Sequence, residues 1–389
     1  MCIPISVVTK EAEGENLYNQ GLSYYKEGSA FTPEGIDSLK KAIAIFNKVI
    51  DANHGFPDAY YMRGIASIQF LHFYSRPFNE EQERLFREAL KDFEKVLQLD
   101  KDFYIAYAAM GNTYDRYGDF DEAVKYYDKA LEKADEIKEK WGEDALAAIY
   151  FSRGRAYHRT LKHRSVQDYE KAYEYNPHSD SVLMHISTAY LQAGRWEEAY
   201  DMAKKSVKAI EEKERKALWD YRAYLTIAKC HIKFKNYNEC VEDLRRGLEI
   251  APFKDPDILL SIGKAYKLMG NMEKAVEYFN EAIKACDELI KHPNPLKPVY
   301  TVYNTRGLVL MEMGDYKKAI EDFERTVEIA PENYPHAHTH YKTDGLKNQG
   351  IAYTKMGDKD KAQELFAEAL NKAERHGLEF AKDEIKEWI

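Results

Sequence analysis

The sequence has few of the residues that build disulfide frameworks, metal-binding knuckles or membrane spans. Its 389 residues include only four cysteines, at positions 2, 230, 240 and 286, and no two of them form a CxxC pair. A zinc knuckle or a redox motif is therefore not expected. No stretch approaches the roughly 20 consecutive apolar residues that a membrane helix needs, and the short apolar run near Met1 lacks the basic leader of a signal peptide. We expect a cytoplasmic protein without a membrane span, and modification of Cys2 is left open.

The sequence also lacks the residue patterns that point to an enzyme. It contains no phosphate-binding GxxxxGK[ST], no GxSxG, no HExxH, and no GxGxxG after a strand. Carboxylates are abundant, but adjacent pairs such as Glu197 and Glu198 imply no acid–base chemistry without a cleft around them. Alternating strand patterns are missing too, so no α/β catalytic domain is expected. We predict a protein that is not an enzyme and that has no cofactor.

Composition favours a long array over several compact domains. Charged residues make up 32% of the chain, which suits a stack of repeats because such a stack exposes much surface per residue. The net charge of −9 disfavours broad binding to nucleic acids or anionic membranes, although a local basic patch remains compatible with it. The 30 tyrosines are unusual, and the repeat described next explains part of this excess.

Four similar segments begin at Gly111, Gly263, Gly307 and Gly350. Each has a small residue first, then a glycine at a turn, then an alanine, and a large aromatic residue four positions after the alanine. This pattern resembles the tetratricopeptide repeat, which has the form W-x2-L-G-x2-Y…A-x3-F…P over about 34 residues.

Nine such repeats follow one another along the chain. The small residue of the first helix is Gly21, Gly64, Gly111, Gly154, Ser187, Ala228, Gly263, Gly307 or Gly350. The small residue of the second helix is Ala42, Ala89, Ala123, Ser165, Ala199, Cys240, Ala275, Ala319 or Ala362. The residue one turn later is Phe46, Phe93, Tyr127, Tyr169, Ala203, Leu244, Phe279, Phe323 or Phe366.

The repeat has a packing explanation. Two antiparallel helices approach closely only where a side chain is nearly absent, and an aromatic ring can fill the space beside that gap. One helix pair cannot bury its own apolar face, so neighbouring pairs must stack. The resemblance implies an all-α, right-handed superhelical solenoid of about nine helical hairpins. The recurring first-helix tyrosines are then mainly packing residues: Tyr24, Tyr114, Tyr157, Tyr190, Tyr266 and Tyr353.

We divide the chain into an N-terminal extension (1–13), the solenoid (14–375) and a C-terminal capping helix (376–389). Repeats one and two carry insertions between their two helices. The charged, proline-free intervals 133–144 and 211–221 predict lengthened helices. In the tail, helical spacing places four apolar residues on one stripe, which predicts a cap on the last repeat: Leu378, Ala381, Ile385 and Trp388.

In tetratricopeptide repeat proteins the first helices line a concave groove that holds partner peptides or helices. By this resemblance, repeats one and two present an apolar floor: Tyr18, Leu22, Tyr25, Tyr61, Ile65 and Ile68. Repeats three to seven present polar and mostly basic residues: Asn112, Arg116, Arg155, His158, Arg159, Arg222, Lys229, Lys233, Lys264 and Lys267.

The resemblance favours a protein–protein interaction scaffold. We hypothesise that its central groove binds an acidic peptide segment or the C-terminal carboxylate of a peptide, because arginine–carboxylate bonds are strong and selective. The main contacts would be Arg155, Arg159, Lys229 and Lys233. The alternative is that these charges are solvated or paired with carboxylates of neighbouring helices. A regulatory sensor that responds to a peptide or small ligand, and a nucleic-acid-binding array, are the other functions considered, and the oligomeric state is open.

Two other constellations give weaker predictions. Some family members bind chaperone tails through a carboxylate clamp; Asn112 matches its first asparagine, but Ser152 stands at the second, so chaperone-tail binding is not predicted. Alternating histidines could chelate zinc or nickel, but a polar insertion is the favoured explanation and no metal site is predicted: His336, His338 and His340.

Overall fold

The computed structural model of the protein describes residues 5–28, 32–72, 79–160, 162–213, 220–294, 297–330, 339–375 and 379–388. Within these ranges the chain forms nineteen α-helices and no β-strand, apart from an isolated bridge between Asn294 and Lys297. The first seven are α1 (Ile5–Glu27), α2 (Pro33–Ala52), α3 (Pro57–Leu71), α4 (Glu80–Leu99), α5 (Ile105–Tyr117), α6 (Phe120–Leu131) and α7 (Ala134–Thr160). The next six are α8 (Lys162–Tyr175), α9 (Asp180–Gln192), α10 (Trp196–Glu211), α11 (Tyr221–Lys233), α12 (Tyr237–Ile250) and α13 (Pro256–Leu268). The last six are α14 (Met272–Lys291), α15 (Val299–Met313), α16 (Tyr316–Ile329), α17 (Thr339–Met356), α18 (Lys359–Arg375) and α19 (Glu379–Lys386).

A glycine followed by Asp or Asn makes the turn between the two helices of several repeats. Gly270 ends α13 with a φ of +80°, a conformation that costs glycine little. The next residue, Asn271, caps α14 by accepting a hydrogen bond from the backbone N–H of Lys274 at 3.1 Å. The same pair recurs after α5, α15 and α17, so a two-residue signal in the sequence fixes both the end of one helix and the start of the next.

The predicted close approach of the paired helices is confirmed. A Cβ atom placed on Gly263 would lie 2.5 Å from the ring of Phe279, and that ring is fully buried. Equivalent glycines in five other repeats face their own second-helix ring at 2.6 or 2.7 Å. The glycine and the ring therefore act as one packing unit, repeated along the chain.

The chain divides into two compact units, Met1–Ala156 and Tyr157–Ile389, and α7 crosses the boundary. In unit 1 the hairpins α1/α2, α3/α4 and α5/α6 stack in order. In unit 2 the hairpins α9/α10, α11/α12, α13/α14, α15/α16 and α17/α18 do the same.

The first helices of each unit also contact one another directly. Helices α9, α11, α13, α15 and α17 form such a row in unit 2, and α1, α3 and α5 form one in unit 1. Across the described residues, the second helices make no comparable contacts with each other. Because one layer is close-packed and the other is spaced, each unit curves with its first helices on the inside. We call the uncovered surface of the unit 2 row the first-helix face.

Several boundaries differ from the sequence-based expectation. Helix α1 begins at Ile5, so residues 5–13 of the predicted extension continue into the first repeat. Gly142 adopts φ +86° and ψ 173° and interrupts α7. The interval 133–144 therefore adds a separate short helical segment and does not lengthen one continuous helix. For 211–221, α10 ends at Glu211, and residues 214–219 lie outside the described ranges.

The C-terminal helix α19 covers the last hairpin. Ala381 and Ile385 are buried in one apolar cluster with Phe366 and Ala369 of α18. The ring of Trp388 lies 6.4 Å from that of Phe366. These contacts match the predicted apolar stripe, while Leu378 lies outside the described residues.

Candidate functional site

The predicted apolar floor of unit 1 lies in its aromatic core. The ring of Tyr18 lies 5.1 Å from that of Phe56, and the ring of Tyr61 lies 5.1 Å from that of Phe103. Burial raises the pKa of Tyr18 to about 12. Partly buried Ile65 and buried Ile68 pack in the same cluster as Tyr18 and Tyr61, and Tyr25 packs in the neighbouring one. Packing accounts for these contacts, and a role in ligand binding stays a prediction.

The predicted polar contacts of unit 1 already bind groups of their own unit. The hydroxyl of Tyr127 donates to Asn112 at 2.7 Å. Arg116 donates through Nε at 3.0 Å to the carbonyl oxygen of Leu71, at the end of α3. Arg155 forms an ion pair with the carboxylate of Asp115. These three side chains therefore stabilise unit 1.

His158 and Arg159, the last two of the predicted contact residues in α7, belong to unit 2. His158 is half-buried. The side chain of Arg159 lies outside the described residues, so its predicted contact with a ligand remains a prediction.

On the first-helix face of unit 2, the two predicted lysines of α13 share one carboxylate. Lys264 lies 3.4 Å from Oε1 of Glu312 on α15, and Lys267 lies 3.0 Å from Oε2. Lys267 also donates to the backbone carbonyl oxygen of Glu312 at 2.9 Å. Burial alone would raise the pKa of Glu312, but the charge of Lys264 and the bond from Lys267 lower it overall.

Helix α11 presents three exposed cations, which we call the α11 strip: Arg222, Lys229 and Lys233. Spacings of seven and four residues place them on one face of the helix. Lys229 follows the small residue Ala228 as Lys264 follows Gly263, so the two lysines occupy the same position in their repeats. Lys233 lies 5.1 Å from the ring centroid of Trp196. Lys229 forms no ion pair or hydrogen bond with any described residue.

The sequence analysis did not find the ion cluster at the start of α13, in which Lys297 and Asp255 are buried and Asp257 is partly exposed. Lys297 has 7% exposure and lies 3.1 Å from both carboxylate oxygens of Asp255 and 2.7 Å from Asp257. Thr305 of α15 donates to Asp257 at 2.6 Å. Burial alone would lower the pKa of Lys297, but the two carboxylates raise it overall. The cluster ties the loop before α15 to the N-terminus of α13.

An amide pair continues the first-helix face beyond α13. Asn348 of α17 donates through Nδ2 to Oδ1 of Asn304 on α15 at 3.0 Å. Next to it, Lys347 binds Asp344 at 3.1 Å and Glu384 of α19 at 2.6 Å. The ion pair of Lys347 therefore joins α17 to the capping helix α19, whereas the amide pair joins two neighbouring repeats.

The other surface of unit 2 has two clefts beside α12. Their volumes are about 440 and 410 Å³, and both are lined by charges of either sign, including Glu242 and Arg246. In the second cleft, His231 lies 3.1 Å from Asp243. No group of three or more potential metal ligands occurs among the described side chains. The predicted histidine site (His336, His338, His340) lies outside them.

No helix within the described ranges combines the length and the apolar character needed to cross a bilayer.

Comparison with known proteins gives consistent matches. Models described as tetratricopeptide repeat match residues 104–137, 221–254, 256–288 and 298–375. The Hsp70-Hsp90 organizing protein 3 of Arabidopsis thaliana is 24% identical over 53% of this chain and 39% of its own length. A TPR repeat-containing protein of Methanocaldococcus jannaschii is 23% identical over 72% of this chain and 51% of its own. The chain thus spans about half or less of these relatives.

One solved structure matches nearly the whole fold. It is a Rap protein complexed with competence and sporulation factor, and the match covers 93% of this chain and 98% of that one. The TM-score is 0.56 and the sequence identity is 15%. At this identity the likeness concerns the arrangement of helices, which agrees with stacked helical hairpins in both units.

Proposed function

Because the chain is a tetratricopeptide repeat protein, we propose that it is a non-catalytic scaffold that binds an acidic segment of a partner protein on the first-helix face of unit 2. The repeats themselves supply the scaffold, since stacked hairpins leave a continuous row of first helices uncovered. The acidic character of the segment is the more specific part of the proposal, and it rests on the charges of α11.

The α11 strip is the observation that carries this proposal. The other described cations predicted to contact a ligand in unit 1 or on α13 already bind oxygen atoms of the protein. All three cations of the strip are exposed on one face of α11, and Lys229 forms no ion pair or hydrogen bond with a described residue. Carboxylates of an extended segment would gain charge-assisted hydrogen bonds there. The net charge of −9 makes this local concentration of positive charge a distinguishing feature.

The scaffold role agrees with the relatives. One of them is named an Hsp70-Hsp90 organizing protein, and we extend only the idea of bringing proteins together to this chain. A chaperone-tail clamp is not part of the proposal, because Ser152 stands at the second clamp position and Asn112 already accepts a hydrogen bond from the hydroxyl of Tyr127.

Reversing the α11 strip tests the proposal. In the triple variant Arg222→Glu, Lys229→Glu and Lys233→Glu, affinity for an amidated decaglutamate peptide is expected to fall about tenfold or more, because attraction becomes repulsion. Fluorescence anisotropy at several salt concentrations measures the affinity, and screening by salt should weaken binding to the wild-type protein.

A matched control separates a local site from net charge. The variant Lys284→Glu, Lys291→Glu and Lys317→Glu changes three exposed lysines on second helices by the same total charge. It is expected to bind the peptide as the wild-type protein does. Equal affinities for all three proteins would refute the α11 site. Tighter binding of an oligouridylate than of the peptide, with a steep salt dependence, would favour the nucleic-acid alternative.

A further inference from the structure

The carboxylate of Glu312 stands where a ligand carboxylate would be expected to bind. It lies between the ammonium groups of Lys264 and Lys267, at 3.4 and 3.0 Å. Lys264 occupies the same repeat position as Lys229 of the α11 strip, one helix further along the row. The face thus contains two neighbouring basic positions, of which one is open and the other is filled by a side chain of the protein.

We infer that Lys264 and Lys267 form a second carboxylate subsite, which Glu312 occupies until an acidic segment displaces it. This inference rests on the proposed function, since it takes the ligand to be an acidic segment bound on the first-helix face. The lysines and Glu312 are only partly buried, with side-chain exposures of 35, 38 and 28%. A ligand can therefore reach the lysines, and Glu312 can turn towards water when it leaves.

The exchange is close to balanced because one carboxylate replaces another. Lys267 keeps its bond to the backbone carbonyl oxygen of Glu312 at 2.9 Å in either state, so the lysine stays in place for the incoming group. A neutral segment cannot replace Glu312. It would separate the Glu312 carboxylate from the two lysines and would leave the lysines without a negative partner. Glu312 therefore acts as a filter that admits acidic segments and rejects neutral ones.

The spacing of the two subsites predicts the pattern of the ligand. Axes of packed helices lie about 8–10 Å apart, and an extended chain rises about 3.3 Å per residue. The segment should thus carry two acidic side chains about two to four residues apart, one for the α11 strip and one for the lysines of α13. This pattern distinguishes the proposed ligand from a single terminal carboxylate.

Glu312→Gln is expected to increase the affinity for amidated decaglutamate about three- to fivefold, since the lysine pair is then released from its internal partner. Lys264→Ala combined with Glu312→Gln should remove that gain. Glu312→Ala should reproduce the effect of Glu312→Gln, which guards against a result peculiar to the amide. Circular dichroism melting of each variant checks that the fold is retained.

The outcomes separate this inference from the proposed function. If reversal of the α11 strip weakens binding and Glu312→Gln leaves it unchanged or weaker, the second subsite is refuted while the α11 site stands. If Glu312→Gln strengthens binding and the strip reversal has no effect, the lysine pair binds the peptide and the α11 site is wrong. If neither the wild-type protein nor Glu312→Gln binds the peptide, both proposals fall.

Discussion

Replacing Lys297 with alanine is expected to lower the free energy of unfolding of unit 2 by about 3–5 kcal/mol. Lys297 has 7% exposure and is the cationic partner of two carboxylates, Asp255 and Asp257. Its removal leaves the buried carboxylate of Asp255 and the partly exposed carboxylate of Asp257 side by side without this cation. Urea denaturation followed by circular dichroism measures the loss. Hydrogen exchange should locate it in α13 and α15, since repeats contact only their neighbours.

A triple variant provides the control for Lys297→Ala. Lys297→Met with Asp255→Asn and Asp257→Asn removes every charge of the cluster while keeping similar volumes, and asparagine can still cap α13. Most of the lost stability should return, because replacing a whole buried ion cluster is far less costly than removing one partner. If Lys297→Ala and the triple variant unfolded at the same urea concentration, uncompensated charge would not be the cause.

The same cluster predicts a dependence on pH. Because the folded-state pKa of Lys297 is raised, its stabilising effect is complete below the unfolded value of about 10.4 and is lost only at strongly alkaline pH. In Lys297→Ala, the unpartnered carboxylates gain protons more readily when folded. The stability deficit of the variant should therefore shrink as the pH falls from 7 to about 4. A deficit that stayed constant over this range would contradict the explanation.

Gly263→Ala is expected to destabilise unit 2 by about 1–3 kcal/mol. Helix propensity alone predicts the opposite, a gain of about 0.5–1 kcal/mol. The added Cβ would meet the ring of Phe279 at 2.5 Å, however, and that ring is fully buried in a close-packed core, where any shift displaces its neighbours. Gly14→Ala is the matched control, because nothing lies within 4 Å of the added carbon in α1.

The two glycine variants should shift the urea midpoint in opposite directions. Phe279→Leu should reduce the cost of Gly263→Ala, since a smaller side chain leaves room for the methyl group, and a double-mutant cycle measures this coupling. An unchanged or raised urea midpoint for Gly263→Ala, or no coupling to Phe279, would show that the glycine is not required for the approach of α13 and α14.

The fold was predictable because its signals are local. The glycine and the aromatic residue that pack together, such as Gly263 and Phe279, are 16 residues apart in the sequence, and the turn signal at Gly270 and Asn271 is two residues long. These signals recur at each repeat, so one error does not disturb the rest of the assignment. The interruption of α7 at Gly142 was harder to predict from the sequence, because a positive φ at one glycine depends on how the two segments of α7 pack.

The candidate site was less predictable because its partners belong to different repeats. Sequence reasoning placed Lys267 on the first-helix face but did not find its partner Glu312, which lies 45 residues further on. Arg116 and the carbonyl group of Leu71 are separated by the same 45 residues, and Asn304 and Asn348 by 44. A search for complementary groups about one repeat away would have found such pairs. The partners of Lys297, at a separation of 40 and 42 residues, follow the same rule.

The uneven spacing of the two helix layers has a mechanical consequence for unit 2. Its first helices touch, while the clefts of about 440 and 410 Å³ beside α12 remain open on the opposite surface. Straightening the unit would narrow these clefts and would pull apart the contacts between neighbouring first helices. The hydrogen bonds within each helix would stay intact. The contacts between first helices therefore resist straightening, and the width of the clefts on the opposite surface sets how far unit 2 can straighten under tension.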